Sequence, residues 1–484
     1  MNDLAKPWGT SVVGVPEPHD SNLEHLTGQA VYCDDIPEPS GCLHGALVLG
    51  PATPSRDLSI DAPDLIQLEG LSLGDHRFLS AADIPGENNA GPVVHDEPLL
   101  PSRETSFPHQ PVGMVLCSDR DQARRVAREY QVSGRPLEPT FLTIAEAAGA
   151  GQVLHEPLTL DNHFSESSFV GCDHVTECSM SVGGQDHVYL EGQVALAMPS
   201  SDGIHVVSST QHPTEVQDLI ANLLGVSAAN VTVEIRRMGG AFGGKESQAA
   251  HFAMLAALGA HVTGRPVKVR LDRDDDMRVT GKRHDFLVNY RIGHDAEGRV
   301  TAADIELNSR CGWSSDLSRS VNDRALFHAE NAYFIPSVKI VSNRFKTNTV
   351  SNTAFRGFGG PQGMIGIERC MDTIARVTGK DPLDIRLLNL YGTSGTETPY
   401  GMSIDEGVLP KIIRNLAETS DYRNRRAEIN LTNGQSKRAK RGIALTPVKF
   451  GISFTASFLN QAGALLNVYK DGSVSLNHGG TEMG

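Results

Sequence analysis

Residues 236–247 read RRMGGAFGGKES. Gly239 and Gly244 stand five apart and Lys245 follows, which is the spacing of a phosphate loop. That motif next requires Ser or Thr to hold magnesium. Glu246 stands there instead, which argues against a magnesium-nucleotide site. Four glycines in six residues let backbone N–H groups approach an anion closely, and a helix starting just after them favours negative charge. Taken alone, the stretch also reads as a tight turn carrying an exposed Lys245–Glu246 pair.

The surroundings give the loop its context. VTVEI (231–235) reads as a strand, and ESQAAHFAMLAALGAHV (246–262) as a helix, so the loop joins strand to helix. Upstream, VALAMPSSDGIHVVSST (194–210) reads as two strands turning at Ser201-Asp202-Gly203. In TEVQDLIANLLG, Val216, Leu219, Ile220, Leu223 and Leu224 share one helical face. Thr214 with Gln217 is spaced as a capping box, and Gly225 as a helix stop. The mixture of strands and helices reads as α+β, with no internal repeat.

The same reading divides the chain. Residues 1–24 form an extended arm and 25–137 a first α+β domain, with strand-like LHGALVLG and PVGMVLCS and helical DQARRVAREY. Residues 138–162 are a connector, 163–395 the largest domain, and 396–440 a polar, partly helical connector. A further domain starts at 441, where IALTPVKFGISFTASF reads as new β structure and Asp471-Gly472 as a hairpin turn.

Composition narrows the function classes. The 484 residues carry a formal net charge of -15, which argues against nucleic acid or an anionic membrane as partner. No stretch is apolar and long enough to span a bilayer, and the N-terminus has no apolar export core. The seven cysteines include no C-x-x-C pair, so the chain carries no sign of a disulfide framework, zinc ribbon or iron–sulfur site. Scattered reduced thiols suit a cytoplasmic protein.

Two more glycine-rich stretches stand out, SNTAFRGFGGPQG (351–363) and HGGTEMG (478–484). Between the first two glycine loops lies CGWSSDLSRSVNDRALFHAE, with Arg324. From residue type alone, Arg324 reads as a structural arginine paired with a carboxylate, and Phe358 and Phe454 as core. Glu191 with His187 and Gln193 reads as a structural hydrogen-bonding cluster. His212, His284, His328 and His478 share no metal-ligand spacing. One large ligand cradled by backbone groups would account for all three glycine loops together.

The words YLEGQ, SSTQHP, RRMGGAFGGKESQ, TGKRHDF, RCGWSSDLS, DRALFHA, SNTAFRGFGGPQG, VKFGISFT, LNQAGAL and NHGGTEMG resemble the molybdenum-binding part of the xanthine dehydrogenase family. The resemblance runs from about Pro16 to the end. It implies an α/β hammerhead-type domain over 25–137, a first molybdenum-cofactor-binding domain over 163–395 and an incomplete second one from 441. It implies a molybdenum–molybdopterin cofactor with oxo and sulfido ligands, held by its pterin. In the family, metal-bound hydroxide attacks an electron-poor carbon and hydride passes to the sulfido ligand, taking hypoxanthine and xanthine to urate. Electrons then leave through 2Fe-2S clusters and FAD to NAD. Those carriers are expected on a partner small subunit, in an (αβ)2 heterotetramer.

Position by position, Gln211 matches the glutamine bonded to the oxo ligand. Phe242 and Gly243 match the loop against the metal, and Arg356 another residue beside the cofactor. Glu246 and Arg324 match the pair facing a purine from opposite sides. Phe358 and Phe454 match two aromatics that sandwich the substrate, with Thr455 beside them. A guanidinium aimed at a ring gains most as negative charge develops there, and a carboxyl opposite can relay protons.

Two departures bear on activity. Ala241 replaces a usual glycine, which is tolerable if its φ is negative. The family's glutamate base lies in a motif beyond HGGTEMG, so the chain is expected to be an N-terminal portion of a longer subunit, inactive alone. An aldehyde oxidase of the same superfamily, which usually lacks the Glu–Arg pair, and a non-catalytic docking subunit are the competing functions.

Overall fold

The computed structural model describes residues 14–16, 18–19, 21–63, 76–404, 408–455 and 457–480. Most of the expected N-terminal arm and the last four residues of HGGTEMG lie outside these. The helices are α1 Asn22–Thr27, α2 Arg120–Glu129, α3 Ile144–Gly149, α4 Pro213–Leu224, α5 Gln248–Thr263, α6 Arg273–Val279, α7 Ser318–Phe327, α8 Gly360–Thr378, α9 Pro382–Asn389, α10 Val408–Thr419 and α11 Tyr422–Gln435. The first eight strands are β1 Leu43–Leu49, β2 Ser55–Asp61, β3 His76–Leu79, β4 Pro111–Cys117, β5 Gln131–Pro136, β6 Val153–Asn162, β7 His174–Val182 and β8 Val194–Ser200. The rest are β9 Gly203–Ser208, β10 Val231–Glu234, β11 Val267–Arg270, β12 Phe286–His294, β13 Val300–Gly312, β14 Ser337–Lys346, β15 Ala464–Val468 and β16 Val474–His478.

Two sheets organise the fold. The larger runs β10-β9-β8-β11-β1-β4-β3, the other β6-β14-β13-β12-β7. The larger sheet crosses the expected boundary between residues 137 and 163. β1 pairs in parallel with β11 through Leu43↔Val267, and antiparallel with β4. β1 alternates as a strand buried on both faces must. Leu43 and Leu47 join the core under α4 and α5, while Ala46 and Val48 join the one under α2. In α5 residues on every side are buried, from Gln248 to Ala260, as expected of a helix apolar all round. In the second sheet Phe286, Val288, Tyr290 and Ile292 of β12 face a core shared with α7, α8 and α9.

Local expectations hold at the β8–β9 hairpin, where Gly203 has φ 139°, and at α4, which buries the five named apolar residues and ends on left-handed Gly225. The capping box does not form. α4 starts two residues earlier than a Thr214 N-cap requires, with Pro213 at its first position, and His212 as N-cap makes no side-chain cap. Gln217 instead donates to the carbonyls of Ala228 and Val231. The stretch 138–162 is not a plain connector. It carries α3 and also β6, whose edge pairing with β14 needs no strongly apolar sequence. Residues 442–455 form no strand. Their polar groups bond α7 and the turn after it, as in Asn331 Nδ2 to Pro447 O and Gly451 N–H to His328 Nε2.

Candidate functional site

The RRMGGAFGGKES loop is anchored by its lysine. Lys245 is fully buried, not exposed. Its ammonium donates to Glu191 O at 2.8 Å and Ser209 Oγ at 2.7 Å, and lies 3.4 Å from Glu191 Oε2. Glu191 also accepts N–H bonds from Asp34 and Gly239 and the Ser209 hydroxyl. Gln193 donates to Gly244 O and to Tyr189 OH. Stretch 189–193 thus holds the underside of the loop, and the reading of Glu191 and Gln193 as structural hydrogen-bonding residues stands. A charge is buried only with partners that satisfy it, which is why lysine and glutamate occur together here.

Above this floor the glycine loops meet back to back. The Phe242 carbonyl accepts the Arg356 N–H at 2.8 Å. Gly243 has φ 95°, and a Cβ there would sit 2.9 Å from the Ala354 backbone. Gln211, just past β9, accepts the Gly243 N–H at 2.9 Å through Oε1. His187 bonds Ala354 O at 2.7 Å and stacks on Phe355 at 4.5 Å. Its burial lowers its pKa to about 4, so it is a neutral support. Ala241 is buried and absent from the left-handed positions, which fall on Gly240, Phe242 and Gly243. The alanine is therefore tolerated.

Glu246 and Arg324 sense each other's charge across this region. Burial, and then Glu215, push the Glu246 carboxyl up to about 7, against His212 and Arg324. The carboxylate has no hydrogen-bond partner among the described residues, and only its N–H is held, by Gly243 O. Burial likewise lowers the Arg324 pKa, with Glu246 opposing. The arginine is paired with carbonyls rather than a carboxylate. Nη1 donates to Gly451 O at 2.7 Å and Nη2 to the carbonyls of Ile452 and Ser453. Of five guanidinium donors, three are thereby used, and buried Nε has no partner.

The aromatic pair is assembled differently from a sandwich. The rings of Phe358 and Phe454 touch each other, with centroids 5.1 Å apart and planes at 49°. A flat ring between two parallel faces needs roughly 7 Å, two contacts of about 3.5 Å each. A substrate ring enters here only by parting them or by meeting one face and one edge. Arg324 lies 5.4 Å from the Phe358 centroid, and the Thr455 hydroxyl donates to Ser320 O in α7. Phe358, at φ 47°, is a left-handed non-glycine residue, a strain found mostly where surroundings fix it. The sequence reading missed Lys245 as an anchor and the ion pair of His212 Nδ1 with Glu215 Oε2 at 3.1 Å beside Glu246, whereas His187 has the structural hydrogen-bonding role read for it with Glu191 and Gln193. The buried charge in YLEGQ was the one available signal for the first.

The convergence of these loops agrees with comparison to known proteins. Models described as molybdopterin cofactor-binding domains match residues 153–390 and 415–484. A third, described as the aldehyde oxidase and xanthine dehydrogenase a/b hammerhead domain, matches residues 27–138. The chain belongs to the xanthine dehydrogenase and aldehyde oxidase family. It is 43% identical to xanthine dehydrogenase of Calliphora vicina over 475 residues, covering 98% of this chain and 35% of that protein. It is 40% identical to a nicotinate hydroxylase of Emericella nidulans, covering 100% of this chain and 36% of that protein. The chain thus spans about a third of the length of the curated relatives it matches. The aldehyde oxidoreductase structure from Desulfovibrio desulfuricans superposes with a TM-score of 0.82 at 21% identity, covering 95% of this chain and 52% of that one, a likeness of fold. The hammerhead and molybdopterin-binding architecture of the family accounts for the α+β fold.

The residues present fit the family's anionic metallopterin. The φ 95° at Gly243 and the close approach to Ala354 leave no room for a side chain in the cradle. Gln211 brings a carboxamide and exposed Arg356 a cation to its edge. Among the described residues no cluster of His, Cys, Asp or Glu could hold a bare metal ion, and no helix is long and apolar enough to cross a membrane. All seven cysteines are free thiols.

Proposed function

We propose that the whole protein to which this chain belongs is a molybdenum hydroxylase that oxidises a purine of the hypoxanthine or xanthine class toward urate. The carrying observation is buried Arg324 placed 5.4 Å from the Phe358 ring, which meets Phe454, with half-buried Glu246 near enough for each charge to influence the other. When bound, the cofactor supplies the oxygen insertion and accepts two electrons. Gln211, Phe242, Gly243 and Arg356 would hold it.

The residues of this chain then orient the ring. With a pKa near 7, Glu246 can donate a hydrogen bond to a ring nitrogen when protonated and accept one from a ring N–H when ionised. Arg324 has one Nη1 N–H left for a ring oxygen where negative charge grows, in surroundings that strengthen the attraction. Phe358 and Phe454 offer an apolar face and edge, about 0.5–1.5 kcal/mol per aromatic contact beyond burial. Thr455 stands beside them. Electrons leave through 2Fe-2S and FAD carriers of a partner subunit to NAD, in an (αβ)2 assembly.

The test is steady-state turnover of xanthine, an aromatic aldehyde and nicotinate by the full-length enzyme and its Glu246→Ala variant, with molybdenum measured in both. Loss of xanthine turnover with molybdenum retained supports the reading. Turnover of the aldehyde alone by the parent enzyme moves the function to an aldehyde oxidase, and of nicotinate alone to a pyridine hydroxylase.

A further inference from the structure

The carboxylate of Glu246 has no hydrogen-bond partner among the described residues, so its aim is inherited from its backbone. Lys245 fixes that backbone on one side. On the other, Ser247 is the N-cap of α5, yet its hydroxyl caps nothing in that helix. It donates to Asp316 Oδ1 at 2.6 Å and lies 3.1 Å from Thr353 Oγ1. Gln248 Nε2 donates to Asp316 Oδ2 at 3.2 Å, while its Oε1 accepts the Gly281 N–H at 2.7 Å. One buried carboxyl therefore engages both residues that follow Glu246.

Asp316 is itself held unusually. It is buried, with φ 38°, a left-handed conformation costing about 1–2 kcal/mol in a residue with a Cβ. Such strain persists where neighbours over-determine it, and they do here. Ser314 Oγ donates to Glu97 Oε2 at 2.6 Å, and Ser315 N–H to Asp96 Oδ2 at 2.9 Å. Glu97 Oε1 in turn pairs with His251 Nε2 of α5 at 2.8 Å. The loop bearing Asp316 is thus tied to α5 twice, directly and through Glu97. The N-terminal end of a 16-residue helix is also where its dipole favours a carboxylate.

We propose that Asp316 is the positioning residue that aims Glu246 at the substrate, acting through Ser247 and Gln248. This rests on the reading of Glu246 as a substrate contact. Asp316→Ala removes both acceptors and so cuts both links. Asp316→Asn keeps them, because its amide oxygen can accept from Gln248 Nε2 while its amide nitrogen donates to the Ser247 hydroxyl oxygen.

The experiment uses the full-length holoenzyme and the variants Asp316→Ala, Asp316→Asn, Glu246→Ala and Asp316→Ala/Glu246→Ala. It measures xanthine kcat/KM, molybdenum content and amide hydrogen exchange over residues 244–250. Asp316→Ala is expected to lose about 10- to 100-fold in kcat/KM, the scale of a misplaced catalytic group, with molybdenum kept and exchange faster over that segment. The conservative Asp316→Asn should retain most of the activity, and Asp316→Ala should cost almost nothing further in the Glu246→Ala background. An equal loss in both backgrounds, or an equal loss in Asp316→Asn, overturns the inference. Should Asp316→Ala fold poorly, Ser247→Ala cuts one of the two links with less disturbance. If Glu246→Ala leaves xanthine turnover unchanged, the reading of Glu246 falls. The exchange measurement then decides the role of Asp316 alone, unchanged protection overturning it.

Discussion

Replacing Lys245 with Met isolates the anchor beneath the glycine loop. Methionine keeps most of the stem, so packing changes little and the ammonium is what is lost. Three contacts go with it, to Glu191 O, Glu191 Oε2 and Ser209 Oγ. Removing one partner of a buried pair costs about 3–5 kcal/mol because the other charge remains. Glu191 keeps donors from Asp34, Gly239 and Ser209, which places the cost near the lower end, about 3 kcal/mol. At about 2–4 °C per kcal/mol for a domain of this class, the melting transition should fall by about 6–12 °C. Circular dichroism during heating reads this directly, and a repeat in 1 M salt separates two cases. Side chains with 0% and 5% exposure are screened little, so the difference between variant and parent should survive high salt. A shift under about 2 °C, or one that disappears in salt, would refute the buried anchor and return the pair to the surface turn that residue order alone suggests.

Three further outcomes follow from the same geometry. Folding raises the Glu246 pKa from 4.5 to about 7, so the stability linked to it is full below pH 4.5 and lost as pH rises through 7. Glu246→Gln should therefore match the parent at low pH and exceed it above pH 7 by on the order of 1–3 kcal/mol; a urea-denaturation offset that is the same at pH 5 and pH 8 would argue against this. Gly243→Ala puts a Cβ 2.9 Å from Ala354 at φ 95° and should lower molybdenum content together with activity, whereas full occupancy would show that the cradle tolerates a side chain. Arg324→Met removes three bonds to carbonyls 451–453 and should reduce xanthine kcat/KM by more than about 10-fold beyond any effect on an aromatic aldehyde. It should also speed tryptic cleavage after Lys449, and equal losses for both substrates would sink the charge-stabilising role.

Features set by near neighbours in the chain were legible early. The apolar stripe of α4 with its Gly225 stop, the turn before Gly203 and the strand–loop–helix around RRMGGAFGGKES depend on residues a few positions apart. The Thr214–Gln217 box misled because Pro213 suits the first helical position and moved the start by two residues. The segment 442–455 misled because β propensity needs a pairing strand, and its groups bond α7 and the following turn instead. In the site, the words around Gln211, Glu246, Arg324 and Arg356 identified which residues to watch. Their order says nothing of Phe358 resting on Phe454 or Arg324 turned toward carbonyls.

The sequence by itself determined the family, the glycine positions that let two loops touch, and the presence of a carboxylate where a nucleotide loop needs a hydroxyl. The tertiary structure decided which charges are buried. Lys245 meets Glu191 across 54 positions and Ser247 meets Asp316 across 69, and β1 joins β11 in a sheet that ignores the expected domain boundary. The reason is physical. A buried ionic group is stable only where several partners converge on it, and here the fold gathers those partners from distant parts of the chain.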